Sequence, residues 1–273
     1  MLLDDSRCGR LPAHGPDEAS GDVGPACKVD LDSPVYPYIS EGHPLTDERK
    51  AQIRVRHLLS MTSGIPGERA GVVGIPTATN AGPFEHALGR CANRYGRRVD
   101  TLYADPGAAW DYSDPAMAHL ALAFAHITGR EMADVMQERV FAPIGIEHLS
   151  WDVQGGSGFL GPHTNAHTGI HISARELARF GYLALHRGRW AGHQIVPGWW
   201  MQLATRSSQE LNPNYGYTWW VNQAGRWPDL PPDAFALSGY RCNRCYIIPS
   251  LDLVVARVGS GPAAWDDNAL IGG

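Results

Sequence analysis

Apolar residues recur at helical spacing in the middle of the chain, in short runs separated by Gly and Pro. In IRVRHLLSMTSG (53–64), Val55, Leu58 and Leu59 share one side of a short helix, with Gly64 as its stop. Residues 65–105 read as mostly irregular and Gly-rich, with FEHALGRCANRYG as one further helix. Asp114 followed by Pro115 predicts a helix start, a capping carboxylate and then a proline at the first helical position. That helix is expected to reach Ile127 and stop at Gly129. Met132, Val135, Met136 and Val140 continue the spacing up to Pro143, and Ser173 with Glu176 forms a capping box that opens a helix ending at Gly188. The pattern then changes. YGYTWWVN (215–222) is strand-like, and RCYIIPSLDLVVARVG (244–259) holds two β-rich runs around a PSLD turn, a terminal hairpin. Helices in the middle and strands at the end predict an α+β, three-layer arrangement.

Composition narrows the class. A chain of 273 residues, 44% hydrophobic and 19% charged, is long enough for one large domain. Residues 1–28 have no helical or strand period and few large apolar side chains, so they read as disordered or foreign to the fold, and the organised domain is expected over 29–273. A net charge of −5 without a block of like charges argues against a nucleic-acid surface. No apolar run approaches the roughly 18–20 residues of a membrane span. The opening MLLDDSRCGR carries acids where an export leader carries bases, so the chain as written has no export address. Five cysteines, an odd number, argue against a complete disulfide framework.

Seven segments, taken in order, carry a resemblance: VDLDSPVYPYI, IRVRHLLSMTSGIPG, PGAAWDYSDPAMAHLAL, TGREMADVMQERVFAPIGI, HISARELARFGYLALHRGRWAGHQIVP, YGYTWWV and CYIIPSLDLVV. They are similar to the serine β-lactamase and penicillin-binding-protein superfamily, in its class C and esterase-like branch. The resemblance implies a β-lactamase/DD-peptidase-like fold, an antiparallel sheet flanked by helices with a helical subdomain. It also implies hydrolysis of a small-molecule ester, amide or peptide through an acyl-enzyme, without a cofactor. The family's Tyr-x-Asn motif matches Tyr112-Ser113-Asp114 and makes Tyr112 the implied proton relay. A phenol suits that role once a nearby cation lowers its pKa from about 10. The third motif, Lys-Thr-Gly or His-x-Gly, falls on Leu237–Tyr240, LSGY. Asp114, Ser238, Gly239 and Tyr240 are therefore the implied substrate-binding residues, Gly239 admitting a close backbone approach and the Tyr240 amide helping to bind an oxyanion. Leu237 stands where the family carries a base.

The pattern breaks at the nucleophile. In the family it stands in Ser-x-x-Lys, one helical turn apart, with the lysine accepting the serine proton. This chain has two lysines, Lys28 and Lys50, and the residues three positions before them are Pro25 and Asp47. The expectation is a domain lacking its first strands and its nucleophile helix, an N-terminal part lost or replaced, and little turnover. Tyr112 then has no lysine to lower its pKa, and Asp114 in place of Asn raises it. The other reading is a catalytically dead protein of the same fold that holds a ligand or peptide. Intact relatives are often exported, so the compartment stays open.

Other constellations are weaker. GGSGF (155–159) fails the nucleophile-elbow pattern at its last position, and Ser60 and Ser63 near His57 read as turn residues. CNRC (242–245) enters a predicted strand, where Cys242 and Cys245 face opposite ways. HTNAHTGIH (163–171) spaces three histidines by four, but Asn165, Thr168 and Gly169 favour a loop, so no metal is expected.

Overall fold

A computed structural model describes residues 30–72, 83–92, 96–154, 163–167, 169–261 and 266–271. The 1–28 segment and GGSGF lie outside the described residues. The first helices are short: α1 Val55–Leu59 and α2 Pro83–Ala87. The predicted 53–64 helix is thus confined to five residues, because Met61 takes a left-handed φ of 61° and turns the chain before Gly64.

The central helix α3, Asp114–Thr128, is buried from Pro115 to Ala125 on every side. Its alanines at 116, 118, 121, 123 and 125 let neighbours approach all round, the composition of a core helix rather than a surface one. It ends where Gly129 adopts a left-handed φ of 67° and its N–H bonds the Ala125 carbonyl. The cap is Ser113, whose hydroxyl accepts from the Ala116 amide, so Asp114 is the first helical residue and Pro115 the second. Asp114 is one residue too far in to cap, and its carboxylate instead lies beside the positive end of the helix.

The 132–140 run is not one helix. α4, Met132–Met136, passes into a π-helical turn over Gln137–Phe141 and a 3₁₀ turn over Ala142–Ile144. Two short ribbons follow, β1 Ser150–Trp151 with β4 Ile170–His171, and β2 Val153–Gln154 with β3 His163–Thr164. α5, Ala174–Leu185, begins with the Ser173/Glu176 capping box and leads to the ribbon β5 Arg189–Trp190 with β6 His193–Gln194, then α6 Gly198–Ala204.

The main sheet is antiparallel in the order β10-β9-β8-β7: Leu253–Arg257, Asn243–Ile248, Phe235–Gly239 and Trp220–Val221. Leu253–Arg257 pairs with Ile248–Arg244, the hairpin expected at the end of the chain. The 215–222 strand shrinks to Trp220–Val221, since Thr218 (φ 65°) breaks the extended run. One face of the sheet, with Phe235, Cys245 and Ile247, joins the main core. There α5 packs so closely that a Cβ on Gly181 would meet Val254 at 2.6 Å and Cys245 Sγ at 2.7 Å. The other face carries Ala236, Tyr246 and Ile248, covered by Trp227, Leu230 and Ala234. A last helix, α7 Asp267–Ile271, is tied to the sheet by Asp267, which accepts from Arg244 and Tyr246. No helix among the described residues is long and apolar enough to cross a membrane.

Candidate active site

Tyr112 sits in the turn that feeds α3, and its backbone is clamped by the 61–70 loop. The Asp111 carboxylate accepts backbone N–H groups from Gly67 (2.9 Å), Arg69 (2.8 Å) and Ala70 (3.3 Å). The Glu68 amide donates to the Tyr112 carbonyl at 2.9 Å. Gly67 passes so near that a Cβ there would lie 2.2 Å from that carbonyl oxygen. From the same loop, the Pro66 carbonyl accepts from the Ser113 hydroxyl at 3.1 Å. The phenol ring stacks on Trp220 (centroids 6.0 Å, 11° between planes) and meets Tyr215 edge-on at 6.2 Å. Trp110 also contacts Tyr215 and Trp220, so Tyr112 belongs to an aromatic cluster that joins the helical layer to β7.

Burial pushes the Tyr112 phenol up to about 12, with the charges of Asp114 and Glu68 adding to the rise. At neutral pH the group is a neutral phenol that can donate a hydrogen bond but is a poor proton acceptor.

The LSGY segment closes β8. Phe235 and Ala236 pair with β7, whereas Leu237, Ser238 and Gly239 pair only with β9, leaving their other edge without a strand partner among the described residues. Tyr240 begins a 3₁₀ turn and is 82% exposed. Leu237, Gly239 and Tyr240 line a cavity of about 740 Å³ together with Trp151, His167 and Leu177. Ser238 alternates to the Ala236 side of the strand. Tyr112 does not line this cavity. It reaches β8 through Trp220, which pairs with Ala236 two residues from Ser238. Sequence reasoning missed Asp111 and Trp220, which set the Tyr112 backbone and ring, because a lone Asp and a lone Trp carry no motif.

The remaining groups have structural partners. The Ser60 hydroxyl donates to the Arg56 carbonyl, Ser63 Oγ accepts from Ile65, and His57 Nδ1 accepts from Arg54, so neither serine bonds that histidine. Lys50 is buried, its ammonium donating to Thr46 Oγ1 (2.6 Å) and the Val99 carbonyl (3.2 Å), and burial lowers its pKa to about 8. His163 bonds Glu131 and His171 faces Asp152, and among the described residues no three His, Cys, Asp or Glu side chains converge as metal ligands. Cys242 lies in the turn before β9 rather than in the strand, so the expected opposite-face pair does not form, and Cys245 alone is buried.

The model of the Beta-lactamase family matches residues 26–269. The chain belongs to the β-lactamase family. An uncharacterized protein of Alkalihalophilus pseudofirmus is 23% identical over 255 residues, 84% of this β-lactamase-family chain and 66% of the relative. This chain therefore spans about two thirds of that relative's length. Its fold is similar to that of a penicillin-binding protein from Bacillus halodurans, with a TM-score of 0.63 at 16% identity, covering 89% of this chain and 78% of that one. It is likewise similar to EstCE1, a hydrolase with promiscuous acyltransferase activity, with a TM-score of 0.60 at 16% identity over 84% of this chain and 72% of that one. The architecture is that of the β-lactamase and penicillin-binding-protein serine hydrolases.

Proposed function

We propose that this β-lactamase-family chain carries the proton-relay and substrate-binding part of a serine-hydrolase site for small esters or amides. The chemistry of such a site runs through an acyl-enzyme. The serine oxygen attacks the carbonyl and gives up its proton, a backbone amide at the β8 terminus steadies the oxyanion, the phenol relays that proton to the leaving group as the scissile bond breaks, and water then cleaves the acyl-enzyme. The observation that carries the reading is the Tyr112–Trp220 stack, which fixes the implied relay against the strand paired with β8. The 273 residues contain no Ser-x-x-Lys. Loss of a serine nucleophile costs on the order of 10⁶ in kcat, so little turnover is expected of these residues by themselves.

The test is intact mass after incubation with a fluorophosphonate or a penicillin. Unchanged mass is the expected outcome, and a stoichiometric adduct would overturn the claim that these residues lack a nucleophile. A second reading, a ligand-binding protein of the same fold, draws on the raised pKa of the Tyr112 phenol, which leaves it a poor proton acceptor at neutral pH. Saturable penicillin binding with no adduct and no hydrolysis would favour it.

A further inference from the structure

Charge is spread unevenly along the chain. The net charge is −5, yet residues 153–209 hold five arginines and a single acid, Glu176. That acid is buried and already bonded, accepting from the Ser173 hydroxyl and the His148 amide. Arg175, Arg179, Arg187, Arg189 and Arg206 form no ion pair among the described residues. Arg179 and Arg189 donate to the carbonyls of Gly145 and Gly192, which hold the guanidiniums without neutralising them. Glu147, two residues beyond that Gly145 carbonyl, is exposed and likewise forms no ion pair among the described residues.

Two of these arginines share a groove with two aromatic rings. Arg175, Ala178, Arg179 and Tyr182 follow one another at helical spacing along the outer side of α5, and Trp190 and Ala191 of the β5–β6 ribbon complete the lining. The groove has a volume of about 530 Å³, and no carboxylate lines it. Tyr182 is 45% exposed, and its ring meets His186 at 4.1 Å and Trp190 at 5.4 Å. The ribbon turns on Ala191 (φ 47°) and Gly192 (φ 88°), both left-handed, the backbone of a tight hairpin. The small side chain at 191 keeps the groove open. On its inner side α5 is fixed in the core by Leu183, Ala184 and the close packing of Gly181, so the outer face is presented rigidly.

We infer that this face docks the protein on an anionic lipid surface, with its arginines among the lipid phosphates and the rings of Tyr182 and Trp190 at head-group level. Guanidiniums pair with phosphate oxygens in a planar, two-pronged fashion. Charge alone would suit any polyanion. Rings with an apolar body and a polar tip, set beside guanidiniums, match the boundary between head groups and acyl chains more closely. The rest of the chain is acidic, so an anionic surface repels it and turns the basic face inward. The inference requires neither Tyr112 nor a nucleophile, so it stands or falls separately from hydrolysis.

Sedimentation of the 273-residue chain with extruded vesicles tests it, one set of phosphatidylcholine and one of equal parts phosphatidylcholine and phosphatidylglycerol. The chain is expected to sediment with the anionic set at low salt, to be released as salt rises, and to stay in solution with the neutral set. Arg175→Gln combined with Arg187→Asn, the second chosen to suit a left-handed backbone (φ 52°), should weaken binding at least roughly tenfold, since each basic side chain near such a surface counts for about fivefold. If that pair fails to fold, Arg175→Gln at its exposed site decides alone. Tyr182→Ser should weaken binding as well, whereas Arg241→Gln, which removes an exposed charge elsewhere, should leave it unchanged. Equal sedimentation with both vesicle sets, full binding by the arginine variants, or an equal loss in Arg241→Gln would overturn the inference. Capture on immobilised heparin with no binding to anionic vesicles would overturn it in favour of a soluble polyanion.

Discussion

The interior around α3 and the rim around residues 240–261 handle polar groups in opposite ways. In the interior, the buried polar side chains packed on α3 are tied to fixed partners at His119 and Lys50. The Tyr36 hydroxyl lies 2.9 Å from His119 Nε2, and His119 Nδ1 lies 2.7 Å from the Pro115 carbonyl. That carbonyl can only accept, so Nδ1 carries the proton and Nε2 accepts from the phenol. Lys50 is held in the same fashion by Thr46 and Val99. At the rim, Tyr240 is exposed, Arg241 stands without an ion pair among the described residues, and the backbone holds three left-handed non-glycine residues, Arg241, Cys242 and Asp252. A group already satisfied internally adds to cohesion and has little left for a ligand, whereas the rim keeps its binding capacity at the cost of strain.

The largest way to disturb this contrast lies at their junction. Asp111→Ala leaves three backbone amides without their acceptor, and unfolding by urea should show a loss of about 3 kcal/mol. A loss below about 1 kcal/mol would mean that the 61–70 loop does not depend on this carboxylate.

Next comes an effect of pH on the interior. Burial lowers the pKa of His119 from 6.5 to about 3, so the folded ring stays neutral while the unfolded one takes up a proton below pH 6.5. Stability is therefore lost as pH falls from 6.5 towards 3, at about 1.4 kcal/mol per unit, or about 2 kcal/mol by pH 5. Urea unfolding at pH 7 and pH 5 should show that slope, flattened in His119→Gln.

A smaller effect runs the other way in the strained part of the sheet. Thr218 is exposed, β-branched and left-handed at φ 65°. Thr218→Gly should stabilise by about 1 kcal/mol, visible as a raised Tm. The smallest effect sharpens the distinction between chemistry and structure at Tyr112. Its ring is packed, but no hydrogen bond of its hydroxyl occurs among the described residues, so Tyr112→Phe should change stability by less than about 0.5 kcal/mol. A larger loss would make the hydroxyl a structural group rather than an available one.

Much of this molecule was legible in the order of its residues. The Ser173/Glu176 capping box, the Gly129 stop, the terminal hairpin and the α+β order all follow from local rules acting over a few residues. What failed was local competition. Ser113 rather than Asp114 caps α3 because Ser113 alone takes a β-region backbone with its hydroxyl over the Ala116 amide, and that geometry is set by the clamp from Pro66. The predicted 215–222 strand stops short because Thr218 is turned left-handed, with its amide bonded to the Leu59 carbonyl far away in sequence.

The sequence by itself determined which segments are helix or strand, that Ser-x-x-Lys is not among these residues, and which side chains the family pattern selects. Only the tertiary structure decided that Asp111 anchors the loop behind Tyr112, that Trp220 couples Tyr112 to the sheet, and that Leu237 and Arg241 share one cavity. The reason is distance along the chain. Local patterns encode backbone preference and facing, while a buried phenol's pKa or a cavity's lining depends on side chains brought together from far apart, which no short-range rule records.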